Sequence, residues 1–348
     1  MRIAQVAPLY EAVPPKLYGG TERVVSYLTE ALVAMGHDVT LFASGDSVTS
    51  AKLVPACPRA LRLDPGCRDP IAHHTLLIER VMAAARGFDV LHFHCDTLHF
   101  PFSRRSPTPT LTTLHGRLDL ADLQGLFGEF TDIPLCSISH SQRRPLPGVA
   151  WRGTVHHGLP VDLLPFSPRP AGYLAFLGRV SPEKGVPQAI DIALRTGLPL
   201  KLAAKIDPND GAFFDQVVRP RLDHPLVTWV GEIGEADKAA FLGGAMALLF
   251  PIRWPEPFGL VMIEAMACGT PVVAFRCGAV PEVIDDGVSG FVVDDVDQAV
   301  AAIGRLAGFD RRRCRATFER RFSDRRMAGD YLALYRRLAR RAELSPVA

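Results

Sequence analysis

Residues 2–43 decide the fold, and they read RIAQVAPLYEAVPPKLYGGTERVVSYLTEALVAMGHDVTLFA. The opening RIAQVA is an apolar run typical of a buried strand, and a loop rich in Pro and Gly follows it. Apolar residues then recur with the helical period from Val24 to Met35, after a helix cap predicted at Thr21. Gly36 ends that helix, and the next apolar run predicts a second strand. A strand, a loop, a helix and a strand in this order indicate a parallel α/β sheet.

The same order of elements continues along the chain and restarts after one interruption. A Pro-rich stretch at 159–171 breaks the periodicity, and 348 residues are enough for two domains. We therefore predict α/β domains over 1–165 and 166–322, followed by a helix over 323–348 with arginines opposite its apolar face. The predicted strands lie near residues 90–93, 110–114, 136–138, 173–177, 200–204, 227–230, 247–250, 271–275 and 291–293. The predicted helices of the second domain cover residues 186–195, 260–268 and 298–303, with a short helix end at 241–244.

Composition limits the classes of function that the chain can have. Charged residues make up 22% and the net charge is +2, so no global field indicates a nucleic-acid partner. The seven cysteines form no C-x-x-C pair, which is typical of buried thiols in a reducing cytosol. We expect a cytoplasmic protein, because no signal-peptide pattern is visible and no run reaches the ~18 apolar residues of a membrane span. The arginines of the last helix form either a solvated face or a weak peripheral contact with an anionic membrane.

Residues 255–271, PEPFGLVMIEAMACGTP, carry the strongest chemical pattern. A tight Pro/Gly loop leads straight into a helix, whose first amides and partial positive charge attract anions. Glu256 precedes that helix end and Glu264 lies inside the helix, so two carboxylates flank an anion site. This layout suits a diphosphate between two sugars, with one carboxylate on a hydroxyl of each sugar. A core helix with an incidental capping glutamate explains the spacing equally well.

A second segment, FLGRVSPEKG at residues 176–185, ends a predicted strand in a glycine-containing loop. Arg179 and Lys184 lie in the loop predicted at 178–185, where open α/β sheets bind their ligands. A guanidinium fork and an ammonium point charge are both suited to one diphosphate, although a surface loop with ordinary cations is the alternative. Lys205 ends the next predicted strand, and it is either a further phosphate contact or a surface lysine.

Together the two segments resemble the retaining glycosyltransferases of family 4, which have two Rossmann-like α/β domains facing a central cleft (the GT-B architecture). Glu256 and Glu264 match the glutamate pair of that family, and Arg179 and Lys184 match its Arg/Lys loop. The resemblance covers nearly the whole chain and is most specific over 176–290. It implies that the first domain binds an acceptor, that the second binds a nucleoside-diphosphate sugar, and that the C-terminal helix packs back on the first domain.

The resemblance also implies roles for individual residues. Arg179 and Lys184 would bind the diphosphate, Glu256 the transferred sugar and Glu264 the ribose, in a retaining transfer that uses no cofactor and most commonly a UDP-linked donor. His115 would contact hydroxyl groups of the donor sugar, with a general-base role toward the acceptor as the alternative. The other predicted donor-binding residues are Gly19, Gly20, Lys205, Gly231, Ile233, Phe258, Gly259, Leu260 and Val261. The residues expected near the acceptor are Lys16, Tyr18, His92, His94 and Asp119.

Two patterns suggest metal binding, and in both we favour a structural explanation. His92 and His94 form H-x-H without a third ligand at a convincing spacing, which favours a hydrogen-bonded cluster at a strand end. Asp295 and Asp297 form D-x-D, a metal motif in the other glycosyltransferase architecture, and here we expect them to favour the start of the helix at 298–303. A nucleotide-sugar epimerase, a phosphorylase of the same architecture and a non-catalytic nucleotide-sugar-binding protein are the alternative functions. The sequence names neither the sugar, the acceptor nor the oligomeric state.

Overall fold

A computed structural model describes residues 1–16 and 19–344, without the side chains of 342–344. The chain divides into two compact units, which we call unit 1 (Met1–Pro160 with Asp324–Ala348) and unit 2 (Val161–Ser323). The first boundary lies inside the Pro-rich stretch at 159–171. Tyr18, predicted as an acceptor contact, lies outside the described residues.

Strands and helices alternate through both units. The strands are β1 (Arg2–Val6), β2 (Asp38–Ser44), β3 (Lys52–Cys57), β4 (Val90–Phe93), β5 (Thr110–Thr113), β6 (Leu135–Ser137), β7 (Trp151–Thr154), β8 (Tyr173–Val180), β9 (Leu200–Ile206), β10 (Val227–Gly231), β11 (Ala245–Phe250), β12 (Val272–Phe275) and β13 (Gly290–Val293). The helices are α1 (Gly20–Ala34), α2 (Pro70–Ala83), α3 (Phe100–Ser103), α4 (Ala121–Glu129), α5 (His140–Arg143), α6 (Val186–Thr196), α7 (Gly211–Phe213), α8 (Glu235–Gly243), α9 (Leu260–Ala267), α10 (Val280–Val283), α11 (Val296–Gly304), α12 (Arg311–Arg321) and α13 (Asp324–Leu344). Short 3₁₀ or π turns occur at Leu61–Leu63, Ala85–Gly87, Pro182–Lys184, Pro208–Asp210, Phe214–Val218 and Arg219–Arg221.

The described residues of unit 1 form a seven-stranded sheet in the order β3-β2-β1-β4-β5-β6-β7. Every neighbouring pair of strands is parallel, so the carboxyl ends of all the strands lie at one edge of the sheet. Both faces are covered, because the side chains of the central β1 and β4 point alternately to either face and nearly all are buried. The parallel α/β sheet predicted from residues 2–43 is confirmed.

The described residues of unit 2 form a six-stranded parallel sheet in the order β10-β9-β8-β11-β12-β13. β8 lies inside this sheet between β9 and β11, as β1 lies between β2 and β4 in unit 1. In both units the strand order therefore reverses beside the first strand, and ligands of open α/β sheets bind beyond the carboxyl ends at such a point. Buried apolar side chains of β8, α6 and α11 belong to the apolar core of this unit.

Helix α13 is part of the core of unit 1. It packs against α1 and β4, and its Tyr331 and Tyr335 are fully buried. Gly153 in β7 leaves room for Leu334, since a Cβ at Gly153 would lie 2.9 Å from a methyl carbon of Leu334. The apolar face predicted for this helix is thus confirmed, and no helix among the described residues is long and apolar enough to cross a bilayer.

Two predictions at element ends are wrong. Helix α1 begins at Gly20 with Gly19 as its N-cap, instead of being capped by Thr21, because the chain enters the helix tightly packed on Pro15. A Cβ at Gly19 would lie 2.7 Å from the Cβ of Pro15. Strand β8 continues past the predicted loop start at 178, because its pairing with β9 extends to Val180. Arg179 is consequently a strand residue.

Candidate active site

The loop between β11 and α9 brings Glu256 against Lys184. The Nζ atom of Lys184 lies 2.5 Å from Oε2 of Glu256, and Nε1 of Trp254 donates to the same oxygen at 2.9 Å. The ammonium group of Lys184 also lies 5.2 Å from the centre of the Trp254 ring. We call these three side chains the Lys184 cluster. The side chains of Lys184 and Glu256 are only 19% and 13% exposed, so water screens their attraction less than it does for a surface ion pair.

Two glycines hold the backbone of this cluster in place. Gly185 has a φ of 77°, and a Cβ there would lie 2.1 Å from the carbonyl oxygen of Pro251. Gly278 has a φ of 57°, and a Cβ there would lie 2.3 Å from the backbone nitrogen of Glu256. The next residue, Ala279, donates its N–H to the carbonyl oxygen of Glu256 at 2.9 Å. Any side chain at either glycine would therefore displace the loops that present Lys184 and Glu256.

Arg179 and Lys205 lie opposite each other on the paired strands β8 and β9. The guanidinium group of Arg179 lies 2.9 Å from Glu183, 3.5 Å from Asp210 and 4.0 Å from Asp207. An anion that binds Arg179 therefore has to compete with carboxylates that already surround it.

Helix α9 starts shortly after Glu256 of the Lys184 cluster in the sequence. Its N-cap is Gly259, with a φ of 84°, and this residue has no side chain to occupy the first amides of the helix. Leu260 and Val261 are partly exposed, whereas Phe258 is buried and packs on Phe322. The backbone of the first turn is thus suited to an anion.

Glu264 lies inside α9 and is 3% exposed. Its Oε1 accepts a hydrogen bond from Nζ of Lys238 at 2.7 Å, and the same ammonium lies 3.3 Å from Glu235. Lys238 and Glu235 belong to α8, Gly231 is the last residue of β10, and Ile233 lies in the loop that leads from β10 into α8. Glu264 thus contacts α8 through Lys238, and Gly231 and Ile233 lie just before α8 in the sequence.

The D-x-D segment of unit 2 is a helix start. Asp295 is the N-cap of α11, and its Oδ1 accepts the N–H of Gln298 at 2.8 Å. Asp297 pairs with Arg195 at 2.5 Å. The structural role predicted for this motif is confirmed. Among the residues that the structure describes, no group of three His, Cys, Asp or Glu side chains is arranged to hold a metal ion.

Unit 1 contains a hydrogen-bonded set of side chains that we call the histidine network: the buried Gln5, His92, His94 and Tyr335, and the partly exposed His115. His94 lies 2.9 Å from His115 through its Nδ1 and 2.9 Å from Oε1 of Gln5 through its Nε2. His92 lies 2.6 Å from the hydroxyl of Tyr335 and 2.8 Å from that of Thr113. The prediction of a hydrogen-bonded cluster at the strand ends is confirmed.

Burial keeps the histidines of this network neutral. Desolvation lowers the pKa of His92 and His94 well below the usual value, and it lowers the pKa of His115 to about 3. His115 is partly exposed and its ring stacks on His157, with the ring centres 5.3 Å apart. Its Nδ1 has no hydrogen-bond partner among the described residues. This nitrogen is therefore a buried hydrogen-bonding position that no described residue uses.

Two family models match this chain, one in each of its two units. A model described as Glycosyltransferase Family 4 matches residues 18–153, and one described as Glycosyl transferases group 1 matches residues 171–308. The chain belongs to family 4 of the glycosyltransferases. The glycosyltransferase activity and the two-sheet GT-B fold type predicted from the sequence are confirmed.

Relatives of this family 4 enzyme match along nearly its whole length. Glycogen synthase of Mycobacterium tuberculosis is 28% identical, over 93% of this chain and 91% of its own. The crystal structure of AviGT4, a glycosyltransferase of avilamycin A biosynthesis, is 25% identical with a TM-score of 0.73, over 98% of each chain. The structure of Anabaena HepE in complex with UDP-glucose is 17% identical with a TM-score of 0.70, over 96% of this chain and 99% of its own.

Two of the predicted acceptor contacts of this glycosyltransferase have to be corrected. His92 and His94 are 0% and 2% exposed, and both nitrogens of each ring already have partners inside unit 1. Neither ring can therefore take up a substrate, and His94 instead bonds to His115. Lys16 is exposed and lies 3.7 Å from Asp46, and Asp119 is paired with Arg117 at 2.7 Å, so these two remain predictions.

Sequence reasoning missed the partners that orient the predicted site residues. Trp254 and Lys238 were not predicted, although Trp254 lies two residues before Glu256 and its indole N–H requires an acceptor when it is partly buried. Gln5 lies in the buried strand β1, and no role in the site was predicted for it from the sequence. A polar residue inside such a strand needs a partner, and this is the signal that could have revealed it.

Proposed function

We propose that this family 4 enzyme transfers a sugar from a nucleoside-diphosphate sugar to an acceptor hydroxyl, with retention of configuration and without a metal ion. The observation that carries the proposal is the Lys184 cluster at the start of α9, where an ammonium group, a carboxylate and uncapped amides adjoin. The ammonium and the amides suit a diphosphate, and the carboxylate of Glu256 suits a hydroxyl of the attached sugar. Glu264, already paired with Lys238, would accept from a ribose hydroxyl.

The cations of unit 2 would supply the electrostatic part of catalysis. The bond between the anomeric carbon and the phosphate oxygen breaks, and its electron pair stays on the phosphate. Lys184 and Arg179 would stabilise the charge that develops there, together with the first amides of α9. Lys184 and Arg179 are held by carboxylates in the structure, so the diphosphate would replace carboxylate contacts with its own oxygens. This supply of positive charge is why the proposal involves no metal ion.

Retention follows from attack on the face that the diphosphate leaves. The acceptor oxygen forms the new bond to the anomeric carbon on that face, and its proton passes to the departing phosphate. Such a route requires no enzyme nucleophile. His115 of unit 1, whose Nδ1 has no partner among the described residues, would accept a hydrogen bond from a hydroxyl of the donor sugar.

A UDP-linked donor is the form of the proposal that we favour. Its support is the structurally similar Anabaena protein, whose crystal structure contains UDP-glucose. A thermal-shift screen of UDP-, GDP- and ADP-sugars tests the choice, because a ligand that binds the folded state raises the apparent stability by mass action. We expect a UDP-sugar to give the largest shift, and we expect Arg179→Ala to abolish it. Arg195→Ala is the matched control, since Arg195 belongs to the same unit and pairs with Asp297 on the surface.

Turnover measurements complete the test. Release of nucleoside diphosphate from the preferred donor should depend on an added acceptor, and NMR of the product should show the anomeric configuration of the donor. An inverted product would exclude the front-face route. Conversion of the donor without an acceptor would identify an epimerase, and a thermal shift without any turnover would identify a binding protein. No shift with any nucleotide sugar would overturn the proposal.

A further inference from the structure

The histidine network of unit 1 has one direction of proton donation, and Gln5 sets it. The Nε2 amide nitrogen of Gln5 donates to the hydroxyl of Tyr335 at 3.0 Å, which turns its Oε1 toward Nε2 of His94 at 2.9 Å. A carbonyl oxygen can only accept a hydrogen bond, so Nε2 of His94 has to carry the proton.

The state of His94 determines the state of His115. His94 is neutral, so with its proton on Nε2 its Nδ1 is a lone pair. Nε2 of His115 lies 2.9 Å from that lone pair and therefore has to donate to it. Since His115 is also neutral, its only ring proton is used in this bond and its Nδ1 carries none.

The other arm of the network is consistent with the same direction. The Tyr335 hydroxyl accepts from Gln5, so its own proton can be donated to Nδ1 of His92 at 2.6 Å. His92 then donates from Nε2 to Thr113 at 2.8 Å, and Thr113 donates to the hydroxyl of Tyr331 at 3.0 Å. Each donor in this arm meets an acceptor when the Gln5 amide has the orientation seen in the structure.

We propose that Gln5 and His94 are positioning residues that set the tautomer of His115 and present its unprotonated Nδ1 to a hydroxyl group of the sugar substrate. The inference rests on the proposed function for the identity of the ligand. Nδ1 of His115 is buried without a partner among the described residues, and the ring is held by its bond to His94 and its stack on His157.

The geometry has a consequence for specificity. A neutral nitrogen lone pair accepts from an O–H group, and it gains nothing from a fluorine or a hydrogen at the same position. The enzyme should therefore discriminate against the donor analogue in which the one hydroxyl that faces His115 is replaced by fluorine. It should be much less sensitive to the same replacement at positions that face other groups.

NMR of the full chain, labelled with ¹⁵N in histidine, tests the tautomer without any substrate. We expect the ring proton on Nε2 of His115 and a coupling through the hydrogen bond to Nδ1 of His94. A proton on Nδ1 of His94, or on Nδ1 of His115, would overturn the inference and leave the proposed function intact. In Gln5→Leu the oxygen that fixes His94 is lost, and we expect signals from both tautomers of His94 and His115.

Kinetics with a set of monofluorinated donors separate positioning from general stability. Gln5→Leu should lower kcat/KM about tenfold with the natural donor, which corresponds to the loss of one well-formed hydrogen bond. The loss should disappear with the one fluorinated donor that has no hydroxyl to offer His115. His99→Leu is the control, because His99 is also buried in unit 1 but bonds to Ser103 and Thr112, which lie outside the histidine network. An equal loss with all donors in Gln5→Leu would show a merely structural role and would contradict the proposal. Absence of turnover in the wild-type enzyme with every nucleotide sugar would instead contradict the proposed function, while the NMR result stands.

Discussion

The candidate site groups of the two units differ in charge. In unit 2 they are ions held by ions: Lys184 by Glu256, Lys238 by Glu264, and Arg179 by three carboxylates. The histidine network of unit 1 instead consists of neutral rings held by neutral partners, because burial lowers the pKa of each of its histidines. An ion pair can exchange a carboxylate for a phosphate, whereas a closed hydrogen-bond network keeps its direction only while every member stays in place. The difference suits one unit to an anionic ligand and the other to the recognition of hydroxyl groups.

Removal of the ammonium group of the Lys184 cluster is the most direct test of the charge that we assign to unit 2. Lys184→Ala should lower kcat/KM about a thousandfold, the upper range for loss of one group that stabilises developing negative charge. It also leaves Glu256 beside the diphosphate without its counter-ion, which adds repulsion. Steady-state kinetics with the preferred donor measure the effect. Arg195→Ala should keep the wild-type rate, and a Lys184→Ala enzyme within threefold of wild type would show that the pair is only structural.

A substitution of Trp254 tests how the carboxylate of Glu256 is held in place. Trp254→Phe keeps a large ring beside Lys184 but removes the indole N–H that donates to Oε2 of Glu256. A hydrogen bond to a charged group contributes about 1.5–3 kcal/mol, so kcat/KM should fall roughly ten- to a hundredfold. Trp151→Phe is the matched control, because the Trp151 indole donates to the backbone oxygen of Leu146 in unit 1. Equal kinetics for the two variants would remove Trp254 from the site.

Acid should distinguish the neutral histidines of unit 1 from the charges of unit 2. Burial lowers the pKa of His99 from 6.5 to about 3 in the folded state. Between these values the unfolded chain binds more protons, so the stability present above pH 6.5 is lost as the pH falls. At pH 5.5 this single group should cost about 1.4 kcal/mol of the free energy of unfolding. Unit 2 contains one histidine, His224, and it is exposed.

Urea unfolding at pH 7.5 and 5.5 measures this effect. The free energy of unfolding should fall further for the wild type than for His99→Leu, by about 1.4 kcal/mol, because the variant lacks the group that titrates. The free energy of unfolding of His224→Leu should fall by as much as that of the wild type between the two pH values. If His99→Leu shows the same dependence on pH as the wild type, His99 is already charged in the folded protein.

The fold could be predicted because its signals are local. Apolar runs and helical periods along 2–43 are sufficient to indicate a parallel sheet, and they are repeated in unit 2. The element ends predicted at Thr21 and Gly178 are wrong because packing and strand pairing decide them: Gly19 packs on Pro15, and pairing with β9 extends β8 beyond Gly178. Such tertiary contacts leave no periodic trace in the chain.

The sequence predicts the charged residues of the candidate site, but it does not predict the partners that hold them. The spacing of Glu256 and Glu264 follows from one loop and one helix turn, so a motif records it. Lys238 reaches Glu264 from another helix, and His92 is occupied by Tyr335 from a helix 243 residues away. No spacing rule connects such positions, which is why His92 was taken for a ligand contact.

The smallest effect tests whether every acidic residue of unit 2 belongs to the site. Asp295→Ala removes the N-cap of α11, whose side chain accepts from the N–H of Gln298. Loss of such a cap costs about 1 kcal/mol of stability, since the amide then loses its partner. The variant should therefore unfold at lower urea concentration and still transfer sugar at the wild-type rate. A rate that falls with Asp295→Ala and recovers with added divalent cation would instead assign D-x-D to a metal site. An unchanged rate would show that Asp295 is not among the carboxylates that the diphosphate replaces. The difference between the two units would then depend on the carboxylates that contact Lys184 and Arg179.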